Sequence, residues 1–433
     1  MRGVVGDDLT ADLARSLGSA AAMALAGQGD ARPTFVIGRD TRASGEMLEE
    51  AVSEGICAAG GNVLLAGIIP TPGVAFLATE MGAAGLVISA SHNPAEYNGI
   101  KIFAPTGHKL PDSVEDEIED LMSSDEMRAG EPGGVDVLAD ARERYLRHLT
   151  DSGDRLDGLR LVVDCANGAA SGVAPEAYRR LGAEVVAIND MPDGENINSN
   201  CGALHPEVVG AEVAKGGADA GVAHDGDADR ALFCDAAGNL VDGDHVLVAC
   251  AVDLKRRGLL KDDTVVTTVM ANIGFRRAMA DAGISVRTTK VGDRYVLEEM
   301  MLCGSVLGGE QSGHVIFADR ATTGDGLLTA IRFLSLAGRT GASVADLGAQ
   351  MRRFPQVLEN VDVADLDALG AAASVWEAVD RVERILGESG RVLVRTSGTE
   401  PLVRVMVEAE TEEQACAHAR DIAEQVRRAL GPA

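Results

Sequence analysis

The sequence predicts an α/β protein: three similar mixed α/β layered domains and a C-terminal small α+β domain around a central cleft. Three observations carry this. The chain has 433 residues, which at about 100–200 residues per domain is two to four domains. Apolar runs of strand length alternate with helical stretches in the same order three times, the pattern of layered α/β units. Each of the three units closes with a polar loop directly after an apolar run, and in α/β sheets ligands gather beyond the carboxyl ends of strands.

The first unit has strands at Phe35–Ile37 and Val63–Leu65, a helix from Ser44 between them, and a strand at Leu86–Ile88 leading into Ser89-Ala90-Ser91-His92-Asn93-Pro94. The second has strands at Leu161–Val163 and Val185–Ile188, a helix from Ala174 to Leu181, and Gly221-Val222-Ala223 leading into His224-Asp225-Gly226-Asp227-Ala228-Asp229-Arg230. The third has strands at Val265–Val269 and Ile284–Val286, a helix from Ile273 to Ala282, and Val306-Leu307 leading into Gly308-Gly309-Glu310-Gln311-Ser312-Gly313-His314. From about Gln356 the pattern changes. A helix near Ala371 to Leu386 precedes two strands, Val392–Val394 and Leu402–Val407, joined by Arg395-Thr396-Ser397-Gly398-Thr399-Glu400-Pro401, and a helix from Thr411 to Leu430 closes the chain. The expected domains are 1–147, 148–243, 244–355 and 356–433. The acidic run Glu115 to Glu126 reads as a solvated helix face.

Composition excludes several function classes. With 39 basic and 67 acidic residues the net charge is −28, so the average surface repels nucleic acid and anionic lipid, and any phosphate must be held by local groups. Aromatic residues make up only 3%, which argues against base-stacking platforms and membrane-interface belts; alanine and glycine packing must fill the cores. The 33 arginines against 6 lysines reflect genome composition or an acidic, salt-adapted surface and identify no chemistry. Seven cysteines stand singly with no CxxC pair, so neither a zinc site nor a disulfide framework is expected. Asp7, Asp8 and Asp12 stand where a secretion signal needs a basic region and an apolar core, and the small-apolar stretch Leu17 to Gly27 is too short to span a bilayer. A cytoplasmic protein in a reducing compartment is expected.

The loops carry the chemistry. Asp225, Asp227 and Asp229 alternate, so on an extended segment their carboxylates point to one side and suit a hard cation. An EF-hand would need Gly at the sixth position and Glu at the twelfth, where this chain has Arg230 and Ala236. With no cysteine in the run and only His224 beside it, Mg²⁺ fits better than zinc. Around Ser91 and His92 there is no Gly-x-Ser-x-Gly elbow, and beside an expected Mg²⁺ site a serine suits phosphate better than an acyl group. Arg395, Thr396, Ser397, Gly398 and Thr399, with Arg404, combine hydroxyls, backbone amides and two guanidinium groups into an anion nest. Glu310, Ser312 and His314 can hydrogen-bond sugar hydroxyls and move protons.

Taken together, Ser89 to Pro94 with Asn98-Gly99-Ile100-Lys101, Asp225 to Arg230, Gly309 to His314 and Arg395 to Pro401 resemble the α-D-phosphohexomutase family, in its order and over nearly the whole chain. Gln311 and Lys290 to Glu298 resemble the phosphoglucosamine mutase branch more than the phosphomannomutase/phosphoglucomutase branch. The resemblance implies interconversion of glucosamine 6-phosphate and glucosamine 1-phosphate through a phosphoserine and a 1,6-bisphosphate intermediate that also serves as activator. Ser91 would carry the phosphoryl group and, with Asp225, Asp227 and Asp229, hold one Mg²⁺. Arg2, Lys101, Arg230 and His314 would be catalytic, Lys101 or His314 moving the proton. His92, Glu310, Ser312 and the residues Arg395, Thr396, Ser397, Gly398, Thr399 and Arg404 would bind the sugar phosphate. The implied partner is a small-molecule sugar phosphate, with no nucleic acid and no membrane; a homodimer is allowed.

Other readings remain open on the residues alone. A phosphomannomutase or phosphoglucomutase would differ only in relative rates on hexose and hexosamine phosphates. An aspartyl-phosphate phosphatase would use the Asp225-x-Asp227 pair and carry its phosphoryl group on Asp225, and a non-catalytic binder would carry none. One departure from the family stands out. Its members open with Gly-Thr-Asp-Gly-Ile-Arg-Gly, of which this chain keeps only Arg2-Gly3. Arg2 is therefore expected on a fraying end, with slow turnover as the consequence.

Overall fold

The computed structural model describes residues 1–27, 32–124, 131–397 and 401–431. Its first sheet contains Arg2–Val4 (β1), Thr34–Arg39 (β2), Asn62–Ile68 (β3), Ala84–Ile88 (β4), Tyr97–Phe103 (β5) and Val135–Val137 (β6), in the order β1-β5-β4-β2-β3-β6. The second contains Arg160–Asp164 (β7), Glu184–Ile188 (β8), Ala220–His224 (β9), Ala231–Asp235 (β10) and Leu240–Val241 (β11), in the order β11-β10-β9-β7-β8. The third contains Thr264–Thr268 (β12), Ser285–Thr289 (β13), Leu307–Gly309 (β14) and Val315–Phe317 (β15), in the order β13-β12-β14-β15.

All three sheets are mixed, and they share one device. The last parallel strand turns back through a polar loop into an antiparallel neighbour: β4 into β5, β9 into β10 and β14 into β15. The register pairs Ile88 with Ile100, His224 with Ala231 and Gly309 with Val315. Each predicted loop is thus pinned on both sides by ladder hydrogen bonds, and the strands before the loops are buried throughout, as central strands covered on both faces require.

The small-residue core takes a definite form. Helix Ala11–Gly27 packs on helix Gly45–Ala58 with backbones so close that a Cβ on Gly18 would lie 2.3 Å from the Val52 carbonyl, and one on Gly55 2.0 Å from the Arg15 carbonyl. Neither position accepts a side chain. Phe35, Ile37, Leu86 and Ile88 fill the layer between these helices and the sheet.

The chain divides into two compact units, Met1–Met270 with Ile284–Gln350, and Ala271–Gly283 with Met351–Ala433. The first holds all three mixed sheets. The second is built on Gln356–Asp362 (β16), Arg391–Thr396 (β17) and Leu402–Glu408 (β18), an antiparallel sheet in the order β16-β18-β17. Helices Ala373–Leu386 and Glu412–Leu430 supply Val375, Val379, Val382, Ile422 and Val426 to its core. The expected two strands are three: β16 was not anticipated. The third unit's helix, Ile273–Asp281, belongs to this second compact unit, where Glu408 accepts from the Ile273 amide at 2.8 Å.

Two further expectations are corrected. Arg2 does not lie on a fraying end: β1 pairs with β5, placing Arg2 opposite Gly99 and Val4 opposite Tyr97, and the Met1 ammonium donates to the Ile100 carbonyl at 3.1 Å. The ladder supplies the order that upstream residues were expected to give, so the ground for slow turnover falls. Asp225 to Asp229 are not extended either. The segment is a turn in which the Ala228 amide donates to the Asp225 carbonyl at 3.0 Å and Ala228 has φ of 56°.

Candidate active site

Ser91 is buried and sits in the left-handed region with φ of 53°, a conformation that costs a non-glycine residue about 1 kcal/mol and persists only where neighbours impose it. Its amide donates to Ser89 Oγ at 2.9 Å, and Ser89 Oγ donates to Asp40 Oδ2 at 2.5 Å. Its carbonyl accepts from Arg42 Nη2 at 3.0 Å and from Asn198 Nδ2 at 2.9 Å. The side chain is thereby aimed across the loop, where Ser91 Oγ donates to Asp225 Oδ2 at 2.7 Å. Gly226 allows this approach, since a Cβ there would lie 2.5 Å from the Ser91 carbonyl.

The turn at Asp225–Asp229 brings three carboxylates together: one oxygen from each lies within 4.8 Å of the others, and all three residues are buried. Asp225 has its carboxyl pushed well above the ordinary range by burial and by the charges of Asp229 and Asp227. Asp227 goes the other way. Against the cost of burial, Lys101 Nζ and Thr71 Oγ1, each 2.7 Å from Oδ2, hold it below that range. Lys101 is raised in turn, burial being outweighed by Asp227 and Asp229, so it is cationic at neutral pH.

These residues fit a divalent cation. Asp227 Oδ1 and Asp229 Oδ1 are buried without a hydrogen-bond partner, a state that costs about 1–3 kcal/mol per group or more when charged. A hard oxygen-seeking ion would relieve both that cost and the repulsion on Asp225. Arg230 lies beside them, its amide 3.3 Å from Asp225 Oδ1 and its Nε 3.8 Å from Asp229 Oδ1.

His224, at the entrance to this turn, is buried and neutral. Its Nδ1 lies 2.9 Å from the Arg230 carbonyl, which can only accept, so Nδ1 carries the proton and Nε2 accepts from Tyr178 Oη at 2.8 Å. Burial lowers its pKa to about 4. A folded-state pKa below the ordinary 6.5 gives stability that is present above pH 6.5 and lost as pH falls toward 4, by up to about 3 kcal/mol. The expected result is that the thermal-stability advantage of the wild type over His224→Asn shrinks between pH 7 and pH 4.5; a constant difference would show that His224 titrates normally.

The third loop meets the other two through His314, whose Nδ1 is 3.4 Å from Asp229 Oδ2. Its Nε2 accepts from the Gly324 amide at 3.2 Å, and a Cβ on Gly324 would collide with the ring at 2.3 Å. Both ring nitrogens of His314 thus have partners within the protein. Glu310 is half-buried, accepts from the Gly292 amide at 3.2 Å, and its charge acts on both Arg230 and His314. Ser312 Oγ is buried without a partner, and Gln311 Nε2 reaches Asp242 Oδ2 at 3.4 Å. His92 Nδ1 lies 3.3 Å from Ser91 Oγ, and burial with the charges of Arg230 and Arg2 lowers its pKa to about 4. Ser91, His92, Lys101, Asp225, Asp227, Asp229, Arg230 and His314 therefore converge.

In the second compact unit Arg395 and Arg404 face each other directly across β17 and β18. Burial and Arg404 together lower the Arg395 pKa. Like charges directly opposite destabilise a sheet, and an anion between them would reverse the sign. Thr396 is exposed, Ser397 is buried, and Gly398 and Thr399 lie outside the described residues.

Sequence reasoning missed Asp40, Arg42, Thr71 and Asn198. A signal for two of them was present: Asp40-Thr41-Arg42 directly follows the apolar strand β2, the rule that located the other loops.

Four family profiles span the chain: Phosphoglucomutase/phosphomannomutase alpha/beta/alpha domain I over residues 1–129, domain II over 143–238, domain III over 242–354, and the C-terminal domain over 358–426. The chain belongs to the phosphoglucomutase/phosphomannomutase family. Within it, the chain is 55% identical to the phosphoglucosamine mutase of Rhodococcus opacus over 94% of both chains, and 54% identical to that of Saccharopolyspora erythraea over 98% of this chain and 97% of the other. A phosphoglucomutase/phosphomannomutase family protein from Burkholderia thailandensis has the same fold, with a TM-score of 0.85 at 27% identity over 100% of this chain and 98% of that one. All seven cysteines of this family member are unpaired, and no helix among the described residues is long and apolar enough to cross a membrane.

Proposed function

We propose that the protein is a phosphoglucosamine mutase, interconverting glucosamine 6-phosphate and glucosamine 1-phosphate by way of phosphorylated Ser91 and a 1,6-bisphosphate. The observation that carries the chemistry is Ser91 Oγ, fixed 2.7 Å from a carboxylate of a buried three-aspartate cluster. The hexosamine assignment rests on the two relatives at 54–55% identity.

Asp225, Asp227 and Asp229, with an oxygen of the Ser91 phosphate, would hold Mg²⁺, which when bound neutralises charge on the phosphoryl group in transfer. The remaining work falls to the chain. Lys101 and Arg230 add fixed positive charge where the phosphoryl group moves, which is the main lever on phosphoryl transfer. Lys101, cationic at rest, supplies the proton that Ser91 Oγ takes up as the phosphoryl leaves, and recovers one from the attacking sugar hydroxyl. Neutral His92 adds a hydrogen bond without adding repulsive charge to the metal. Glu310 and Ser312 bind ring hydroxyls, and the Arg395–Thr399 loop with Arg404 holds the far phosphate while the bisphosphate turns around. Arg2, ordered by β5, adds a cation whose charge reaches His92 and Lys101.

A coupled assay across glucosamine, glucose and mannose 6-phosphates, with catalytic 1,6-bisphosphate, tests the assignment. The highest kcat/KM is expected on the hexosamine; equal or greater efficiency on glucose or mannose phosphate would replace it. Arg395→Ala is expected to raise KM roughly tenfold, through loss of a charge-assisted phosphate contact, and to release more bisphosphate into solution. Unchanged KM and unchanged bisphosphate release would place the far-phosphate site elsewhere.

A further inference from the structure

Arg42 is fully buried and lies outside every loop to which the resemblance gives a role. A guanidinium has five N–H donors in a fixed planar fork, and here all five are used. Nε donates to Asp40 Oδ2 at 2.9 Å. Nη1 donates to the carbonyls of Tyr97, at 2.9 Å, and Pro94. Nη2 donates to the carbonyls of Ser91, at 3.0 Å, and Asn93, at 2.8 Å. Four of the five acceptors are main-chain carbonyls between residues 91 and 97, the segment that starts at Ser91 and returns into β5. Asp40 closes the arrangement from the other side, since it accepts from Ser89 Oγ, which in turn receives the Ser91 amide.

We propose that Arg42 is the positioning residue of the phosphoryl-transfer step: its saturated fork holds Ser91 at positive φ, with Oγ aimed at the aspartate cluster, through both half-reactions. This deepens the reading of Ser91 as the phosphoryl carrier and rests on it. The loop has a particular need for such an anchor. Ser91 must return to one position after each transfer, while the phosphate it carries and three carboxylates beside it repel one another whenever the cation between them is imperfectly placed. Ladder hydrogen bonds cannot serve here, because carbonyls 91, 93 and 94 lie in the turn before β5 begins. Arg42, from the neighbouring β2 loop, is the side chain that reaches all three, with Asn198 Nδ2 a second donor to carbonyls 91 and 93 and the Tyr97 amide a second donor to carbonyl 94.

Arg42→Lys keeps the charge beside Asp40 but offers three donors from a single point, so it cannot reach acceptors on both flanks of the loop. The proposal expects kcat to fall about a hundredfold, as misplacement by about 1 Å does, with KM for the sugar phosphate within twofold, because no substrate contact is removed. A folded variant with near wild-type kcat, or one whose loss lies wholly in KM, would overturn it. Should Arg42→Lys not fold, Asn198→Ala removes the other side chain on carbonyls 91 and 93 and leaves the Arg42 fork in place: kcat within a few-fold of wild type is then the result the proposal expects, and a hundredfold fall at unchanged KM would assign the anchoring to Asn198 and overturn it. Phosphopeptide mapping of the wild type separates the two levels. Phosphate on Ser91 with wild-type kinetics in Arg42→Lys rejects the role of Arg42 alone, whereas phosphate elsewhere rejects the Ser91 reading on which it stands.

Discussion

Ser91→Ala is expected to lower turnover by roughly four orders of magnitude or more, the scale for removing a nucleophile that is itself the group carrier, while leaving the fold standing. The structural cost is small and can be itemised. Alanine tolerates the left-handed backbone, since this chain already holds Ala166 at φ 54° and Ala228 at φ 56°. Loss of Oγ leaves Asp225 Oδ2 without its donor, about 1–3 kcal/mol, and the raised Asp225 carboxyl can meet part of that by retaining a proton. A thermal midpoint within several degrees of wild type, together with a rate at the assay floor, is the expected pair of results. More than about one per cent of the wild-type rate would remove Ser91 from the transfer step.

Asp227→Asn is expected to raise the Mg²⁺ concentration for half-maximal activity by about tenfold or more and to lower the saturated rate roughly a hundredfold. Asp227 is held in its charged form, where burial pushes Asp225 the other way. Lys101 and Thr71 both donate to Oδ2, leaving Oδ1 buried and unpartnered on the other side. An amide of the same shape must either turn its NH₂ toward those donors or present it to the cation. The change also deprives Lys101 of its ion pair, 2.7 Å long and largely buried at the aspartate end, and so lowers the Lys101 pKa. Two readouts therefore move together: the metal titration shifts to higher concentration, and the alkaline limb of the rate profile shifts to lower pH. An unchanged Mg²⁺ titration would show that the cluster is not the metal site.

The repeat was legible because parallel strands buried on both faces read as uninterrupted apolar runs, and β4, β9 and β14 each end in a loop too polar to continue them. What the periodicity could not show was the partner on the far side of each loop. Lys101 reaches Asp227 across 126 positions and Thr71 across 156; the Asn98-Gly99-Ile100-Lys101 stretch marks Lys101 as a site residue without showing its partner, and nothing local marks Thr71. The three aspartates were found for a reason that proved incomplete: they converge through a tight turn with Ala228 left-handed, not by strand alternation. β16 escaped notice because its side chains alternate weakly between core and solvent. It is a strand by virtue of β18, some forty residues later. Arg42 resembled one more charge in an arginine-rich sequence, and its burial follows only from five acceptors brought together by β2, the Ser91 loop and the start of β5.

Phosphate mapping tests the central claim most directly. The purified enzyme is incubated with glucosamine 1,6-bisphosphate, exposed in parallel to acid and to hydroxylamine, and digested for peptide mass analysis. A single phosphoryl group on Ser91 that survives both treatments is the predicted result. A phosphoryl group lost to hydroxylamine and mapping to Asp225 would contradict it, and would make the aspartate cluster the seat of an acyl phosphate instead of a metal site serving a phosphoserine.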